Sequence, residues 1–443
     1  MFMKNSLIQF YQRSPKTIAF FLAFLFLLLR IWERFLFPGL WAEDGFLFLR
    51  EAIMYGPSGF FQPYAGYFHT IPRLIAYFTY LFFPVVLYPY AIMLICTGLY
   101  AFAVSRFAGE EFSDLIASPG TRLLLTLSLC LVPGLYEVLG NLANLHWILF
   151  FYLSVISIRS ISYKSNPLEL IFIFLICAST GEPIVLIPVL GLRLLLSIKS
   201  KNKKAILNNG LILFFVVSFS LLNFSQREGQ PPGKASTPEE ILIATNFTWN
   251  QYIVFQPILG DKKVAKFYDG YRTIYRYLGL AIGIGLLAWT FRKKYYFENF
   301  FFPVLLSVFL VPILTWIVRP GSLLSYINIY GVWEARYSFI LSPWGLAFWV
   351  IVINHIDKEK FRHWIIAIFF LAYFANASYR IALKPYNKAV DWFEVSKPAT
   401  QAMKTGCPNP AKVLIHPVLT SPITGEETKF YFGFEFENKP HCD

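Results

Sequence analysis

The chain has 443 residues, 56% of them hydrophobic and 19% aromatic, with only 15% charged and a mean hydropathy of +0.52. So few charges cannot cover that much apolar surface in a soluble fold, so a soluble domain is excluded and a multi-span membrane protein is expected. The net charge of +13 suggests nucleic acid, but Lys and Arg cluster in short loops between apolar runs, as cytoplasmic loops do, and nucleic acid is set aside as a partner.

Lys4, Arg13 and Lys16 precede the first apolar run, about Thr17 to Leu36. This run is longer than a signal-peptide core and lacks a small-residue cleavage site, so it is expected to be a retained anchor leaving a cytoplasmic N-terminus. The stretch Trp41–Arg73 that follows is too polar and too punctuated to cross a bilayer. It places Glu43 and Asp44 just after the apolar run, then a Gly/Pro/aromatic loop with Tyr64 and Tyr67, then His69 and Arg73. Leu74 to Val86 is short for a crossing, which takes about 20 residues, and is expected to be a juxtamembrane or re-entrant helix in an external loop spanning 37–86.

Further spans are expected at Leu87–Phe107, Leu123–Pro133, Trp147–Ile158, Leu168–Ala178, Ile184–Leu196, Ile206–Phe224, Tyr277–Phe291, Phe300–Val318, Ser338–Ile356 and Trp364–Tyr379. Every strong basic cluster then falls on one side, giving about eleven transmembrane helices in an all-α polytopic domain over residues 1–382. Residues 383–443 form a small external α/β C-terminal domain. There Phe430, Phe432, Phe434 and Phe436 alternate with Tyr431, Gly433, Glu435 and Glu437, the period of a half-buried strand. Cys96, Cys130 and Cys177 lie in spans. Cys407 and Cys442 lie in the tail, on the side that permits disulfides, and are expected to pair.

By this topology Glu43, Asp44, His69, Arg73, Glu137, Asn144, His146, Glu182, Arg319, Glu334 and Arg336 sit at external span ends. Ionisable groups at membrane depth are costly and mark functional sites. A carboxylate there can act as general base toward a sugar hydroxyl, and Arg and His can hold a phosphate. Each residue also has a simpler role open to it. Asp44 can cap the helix beginning near Gly45, Glu43 can be a solvated interface residue, and Arg73 and Arg336 can snorkel to head groups. His146 beside Trp147 can belong to an aromatic belt, and Glu182 can be a turn acid. No P-loop, GxGxxG or zinc spacing is present.

Glu43-Asp44-Gly45, Pro63-Tyr64-Ala65-Gly66-Tyr67, Pro72-Arg73, Glu137, His146 and Arg336-Tyr337 together resemble the GT-C superfamily of integral-membrane glycosyltransferases. The polytopic body with an external tail is similar to the serotype-converting O-antigen glucosyltransferases. The resemblance implies inverting transfer of a sugar from a polyprenyl-phosphate donor to a glycan or lipid-linked acceptor such as lipopolysaccharide, at the outer face of a bacterial inner membrane. It implies Asp44 or Glu43 as base, and Tyr64, Tyr67, His69, Arg73, Glu137, Asn144, His146, Glu182, Glu334, Arg336 and Tyr337 as substrate-binding residues. The leaving group is already a phosphate, so no nucleotide site is required. No cofactor is implied, and the second acidic motif through which some relatives hold a metal is missing. The alternative is a lipid-linked glycan flippase or transporter, which would use the same amphipathic cavity without a base.

Overall fold

The computed structural model describes residues 14–225, 237–239, 246–247, 249–292, 339–377, 382–383, 391–394, 396–397, 400, 409–420 and 427–434. The main helices are α1 (Pro15–Arg30), α2 (Thr70–Phe82), α3 (Tyr88–Ser105), α4 (Pro119–Leu129), α5 (Leu145–Ser157), α6 (Pro167–Cys177), α7 (Ile187–Lys199), α8 (Lys203–Ser225), α9 (Asp261–Gly270), α10 (Arg272–Arg292), α11 (Leu341–Asn354) and α12 (Glu359–Ala377). The described chain is mostly helical, as the apolar runs led one to expect.

Helix starts follow local chemistry. The Ser118 side chain accepts the Thr121 N–H at 3.3 Å and the Asn166 side chain accepts the Glu169 N–H at 2.8 Å, each with proline as the first helical residue of α4 and α6. These caps satisfy donors that a helix start leaves without partners. Helix α5 is buried at every position, as a predominantly apolar helix is when it lies inside a bundle. Helix α3 packs between α1 and α5, and α8 packs against α6 and α7.

Among the described residues, two helical segments are long and apolar enough to cross a membrane alone, Val85–Ala108 and Lys203–Asn223. Helix α6 and the helix Glu182–Lys199 that contains α7 reach that standard only as a pair, bent by 116° at the break between Cys177 and Glu182. Of the about eleven spans expected, the described residues thus show two of spanning length, or three with the bent pair. The cause is helix length. Helix α4 ends after 11 residues and rises only about 17 Å, against ~30 Å of hydrocarbon. Pro133-Gly134 stops it, with Gly134 at φ +83°. The expected span Phe300–Val318 lies outside the described residues.

The exterior of these helices is apolar. Phe21 and Leu29 on α1, Leu168 and Ile171 on α6, and Leu207, Phe214 and Leu221 on α8 are all exposed. Large apolar faces of this kind call for a lipid or protein environment.

Hydrogen bonds gather the loops at two ends. At one end Asp44 binds the 142–143 backbone, Thr70 Oγ1 donates to the Ala178 carbonyl at 3.0 Å, the Ile71 N–H donates to Ser179 Oγ at 2.8 Å, and Asn223 donates to the Thr180 carbonyl. At the other end Lys16, Arg106, Glu111, Arg159 and Glu169 form one ion-pair network. Helix α3, 18 residues long and about 27 Å by its rise, runs between them. The described loops near 44–71, 142–143 and 178–180, expected to be external, thus share one end, and those near 106–111 and 159–169, expected to be cytoplasmic, share the other.

In the tail, β1 (Asn409–Thr420) pairs antiparallel with β2 (Glu427–Phe434), with Val413 opposite Phe432 and Ile415 opposite Phe430. Strand β2 covers most of the expected Phe alternation, and its backbone lies beside the Asp44–Leu49 turn. Cys407 and Cys442, the expected disulfide, lie outside the described residues.

Candidate functional site

The site grows from the segment after α1. Residues Asp44–Leu49 form a π-helical turn, a rare geometry that recurs at functional positions. It is entered through Ala42, whose φ of +39° lies in the left-handed region that non-glycine residues avoid. Two further left-handed residues follow, Ala65 at +52° and His69 at +55°. Each such conformation costs about 1–3 kcal/mol and persists only where surrounding contacts impose it.

Asp44 is buried at 2% exposure. Its Oδ1 accepts the backbone N–H groups of Leu142 and Ala143, both at 2.9 Å, and its Oδ2 accepts that of Trp41 at 3.4 Å. Burial pushes its carboxyl up to about 8 against the opposing pull of these N–H donors, with a smaller upward contribution from Glu43. Asp44 does not cap the helix beginning near Gly45, as one simpler reading held. It ties the first loop to the loop that starts α5, and those N–H groups have no other acceptor among the described residues. Glu43 beside it is half-buried.

The α5 loop carries the next groups. Asn141 and Asn144 both donate to the Glu137 carbonyl, at 2.8 and 3.0 Å, and Asn141 Oδ1 accepts the Asn144 N–H. Glu137 thus contributes its backbone carbonyl to the loop, and Asn144 serves the loop's shape. His146 Nδ1 faces the Ala143 carbonyl at 3.1 Å. Its Nε2 then faces Glu182 Oε1 at 3.6 Å. Thr180 Oγ1 donates to Glu182 Oε2 and orients that carboxylate.

Tyr64 and Tyr67 flank a tight turn in which each backbone N–H bonds the other's carbonyl, at 2.8 and 3.2 Å, across Ala65 and Gly66. Positive φ at both central residues is the geometry of a type I′ turn. The turn sets Tyr67 against His69, with ring centroids 4.0 Å apart, and Tyr64 at 5.7 Å. His69 lies 6.0 Å from His146, edge to face. His69 is 3% exposed, and neither ring nitrogen has a hydrogen bond of good geometry among the described residues, the Tyr64 backbone being the polar group beside it. Burial, then the His146 and Arg73 charges, hold His69 well below the usual imidazole range.

Arg73 is buried at 3% exposure. Its Nη1 donates to Glu51 and to the Gly59 carbonyl. Nε and Nη2 have no partner among the described residues. Burial lowers the guanidinium pKa and raises that of Glu51, which the pair's mutual attraction opposes. Arg73 therefore does not snorkel to the surface.

The structure brings Asp44, Glu43, Tyr64, Tyr67, His69, Arg73, Glu137, Asn144, His146 and Glu182 to one end of the bundle. Glu334, Arg336 and Tyr337 lie outside the described residues. Glu51 was missed, although an acid in the apolar 46–54 segment is a signal. Tyr88 was missed too: its hydroxyl is buried without a hydrogen-bond partner among the described residues, and lies within electrostatic reach of Asp44. Arg30 and Arg34, buried in the first apolar run, donate to the carbonyls of Cys130, Leu139 and Tyr136 and hold α1 to the α4–α5 connection. Arginines inside an apolar run were the signal for these.

Among the described residues, no group of three His, Cys, Asp or Glu is arranged to hold a metal ion. Comparison with known proteins finds no matching family model, curated protein or solved structure.

Proposed function

We propose that this chain is a multi-pass membrane glycosyltransferase of the inverting GT-C type, acting at the outer face of a bacterial inner membrane. It would move a sugar from a polyprenyl-phosphate donor to a glycan or glycolipid acceptor. The observation that carries this reading is the pair of buried cationic or donor side chains, Arg73 and His69, left with open hydrogen-bonding positions at the same end as the buried Asp44. Burying a guanidinium with unmet donors is costly unless an anion completes it. A phosphate oxygen pair matches the remaining fork of Arg73.

In the reaction the acceptor hydroxyl oxygen attacks the anomeric carbon from the face opposite the phosphate. The bond from that carbon to the phosphate oxygen breaks, and polyprenyl phosphate leaves with the electron pair. The hydroxyl proton passes to a carboxylate, Asp44 with Glu43 adjacent. A base with a pKa near the working pH suits this role. Arg73, His69 and His146 steady the phosphate as its charge grows, and Glu182 holds His146. Tyr64 and Tyr67 offer aromatic faces to the sugar. The apolar exterior and the spans supply a surface for the lipid chain. The tail over residues 383–443 would cover the site, and its strand β2 lies beside the Asp44 turn.

One observation favours the alternative of a lipid-linked glycan flippase. The Asp44 carboxylate is buried, and both its oxygens are occupied by backbone N–H groups. In that reading it is a latch and not a base. Incubating the purified protein with radiolabelled polyprenyl-phosphate hexoses and an acceptor separates the two. Release of lipid phosphate with a labelled acceptor supports the transferase; movement of intact donor across a vesicle without release supports the flippase.

A further inference from the structure

The opposite end of the bundle carries a cleft that the proposed reaction does not use. It has a volume of about 430 Å³ and opens between the ends of α1, α3 and α6. Its charged lining residues are Lys16, Arg106 and Glu169, and Glu111 and Arg159, outside the lining, pair with them. Lys16 Nζ lies 3.1 Å from Glu111 Oε1, and Arg106 Nη2 lies 3.2 Å from Glu111 Oε1 and 2.8 Å from Glu169 Oε1. Arg159 Nη1 closes the network on Glu169 Oε2 at 2.8 Å. Three cations thus face two carboxylates, leaving an excess of positive charge. Among the described residues Arg106 makes hydrogen bonds through Nη2, and its Nε and Nη1 make none. Lys16 keeps a third of its side chain exposed. Tyr163 and Asn166 add a hydroxyl and an amide to the rim.

The apolar wall of the cleft is Leu99, Phe102, Leu168 and Phe172. Leu168 is 76% exposed and Phe102 is 36% exposed. These side chains lie on the membrane-candidate helix α3 and on α6, running from the charged rim toward the middle of the bundle. A cleft with cations at its rim and an open aromatic and aliphatic wall fits a molecule with an anionic head and a hydrocarbon chain. A free ion would not use the wall, and a neutral lipid would not use the excess charge.

We propose that this cleft binds the phosphate-bearing head group of an anionic amphiphile, an anionic phospholipid of the leaflet facing the Lys/Arg-rich loops. The phosphate sits against Lys16 and Arg106, and the first methylenes of its chain lie along Phe102, Leu168 and Phe172. The proposal rests on the membrane reading of the chain and not on the transferase reading. The anionic leaflet and the basic loops attract each other on that side, which delivers the ligand to the cleft.

The test uses the full chain purified in neutral detergent. It is titrated with short-chain phosphatidylglycerol, with phosphatidylcholine of equal chain length, and with inorganic phosphate, reading the thermal midpoint and the lipid retained in native mass spectrometry. Phosphatidylglycerol is expected to be retained and to raise the midpoint; the other two are not. Lys16→Gln should weaken retention about fivefold, the loss of one near-surface cation. Leu168→Asn, at an exposed position outside the ion-pair network, should weaken it as well while leaving the fold intact. Equal retention of both lipids overturns the proposal, as does unchanged retention in both variants. Displacement of phosphatidylglycerol by millimolar inorganic phosphate would mean an ion site without a chain and also overturns it. Protein that partitions into vesicles yet fails these tests rejects the cleft and leaves the membrane assignment standing.

Discussion

Asp44 Oδ1 lies 2.9 Å from the backbone nitrogen of Ala143, and Ala143 in turn offers its carbonyl to His146 Nδ1 at 3.1 Å. One residue of the α5 loop therefore links the carboxyl of the loop after α1 to the histidine facing Glu182. The position of His146 is thereby linked to Asp44 through the Ala143 backbone.

Two roles of Asp44 separate on substitution. Asp44→Asn keeps an oxygen for the Leu142 and Ala143 N–H groups but cannot take up a proton. As base, its loss should lower turnover by about 10²–10⁴-fold with the fold intact. Asp44→Ala strands the buried N–H groups and should also cost about 1–3 kcal/mol of stability. Turnover and thermal midpoint, read together, check this. Full activity of Asp44→Asn would leave Asp44 as a latch only.

The carboxyl of Asp44 is pushed up to about 8 from 3.8. The folded state thus holds a proton that the unfolded state has released across that window. Its contribution to stability is full below the unfolded value and is lost as pH rises toward the folded one. The midpoint of the wild type should therefore fall relative to Asp44→Asn between about pH 5 and pH 8, and the gap should level off above. In the same range the rate should climb with pH, because at pH 7 only roughly a tenth of such a carboxyl is ionised. Melting curves and pH–rate profiles of the two proteins test both statements.

Arg73→Lys keeps the charge and loses the planar fork. Donor affinity should fall although Glu51 retains a cationic partner, because an ammonium cannot present two parallel N–H groups. Glu51→Gln leaves the guanidinium buried with one charge partner fewer and should lower stability more than donor affinity. Equilibrium binding of a labelled polyprenyl phosphate is the measurement. Unchanged affinity in Arg73→Lys would make the arginine a structural tie between the Glu51 and Gly59 segments.

At the other end, Glu169 accepts from both Arg106 and Arg159, and Tyr152 Oη donates to it at 3.2 Å. Glu169→Gln leaves two largely buried guanidinium groups with too little negative charge. A loss of about 3–5 kcal/mol is expected, the range for breaking a buried pair by removing one partner. Thermal unfolding of the purified protein checks it, and transfer activity per folded molecule should stay near the wild-type level.

The distribution of polar groups was legible in the sequence because hydropathy and charge are local properties of the chain. Apolar runs alternate with short basic loops, so Glu43, Asp44, His69, Arg73, His146 and Glu182 were expected at one end and the lysine and arginine clusters at the other. The described loops gather in that way. What tertiary packing decided was the partner of each group. Asp44 meets an N–H donor 99 residues away and Arg73 meets a carboxylate 22 residues away. Nothing in the local sequence selects those partners; they follow from which loops pack together. The bend between α6 and α7, the short reach of α4, and the burial of Arg30 and Arg34 against carbonyls of the α4–α5 connection are of the same kind. An apolar run reports that a segment is buried or lipid-facing. Its length as a helix and its direction depend on where prolines, glycines and neighbouring backbone polar groups end it, and that was set only when the bundle assembled.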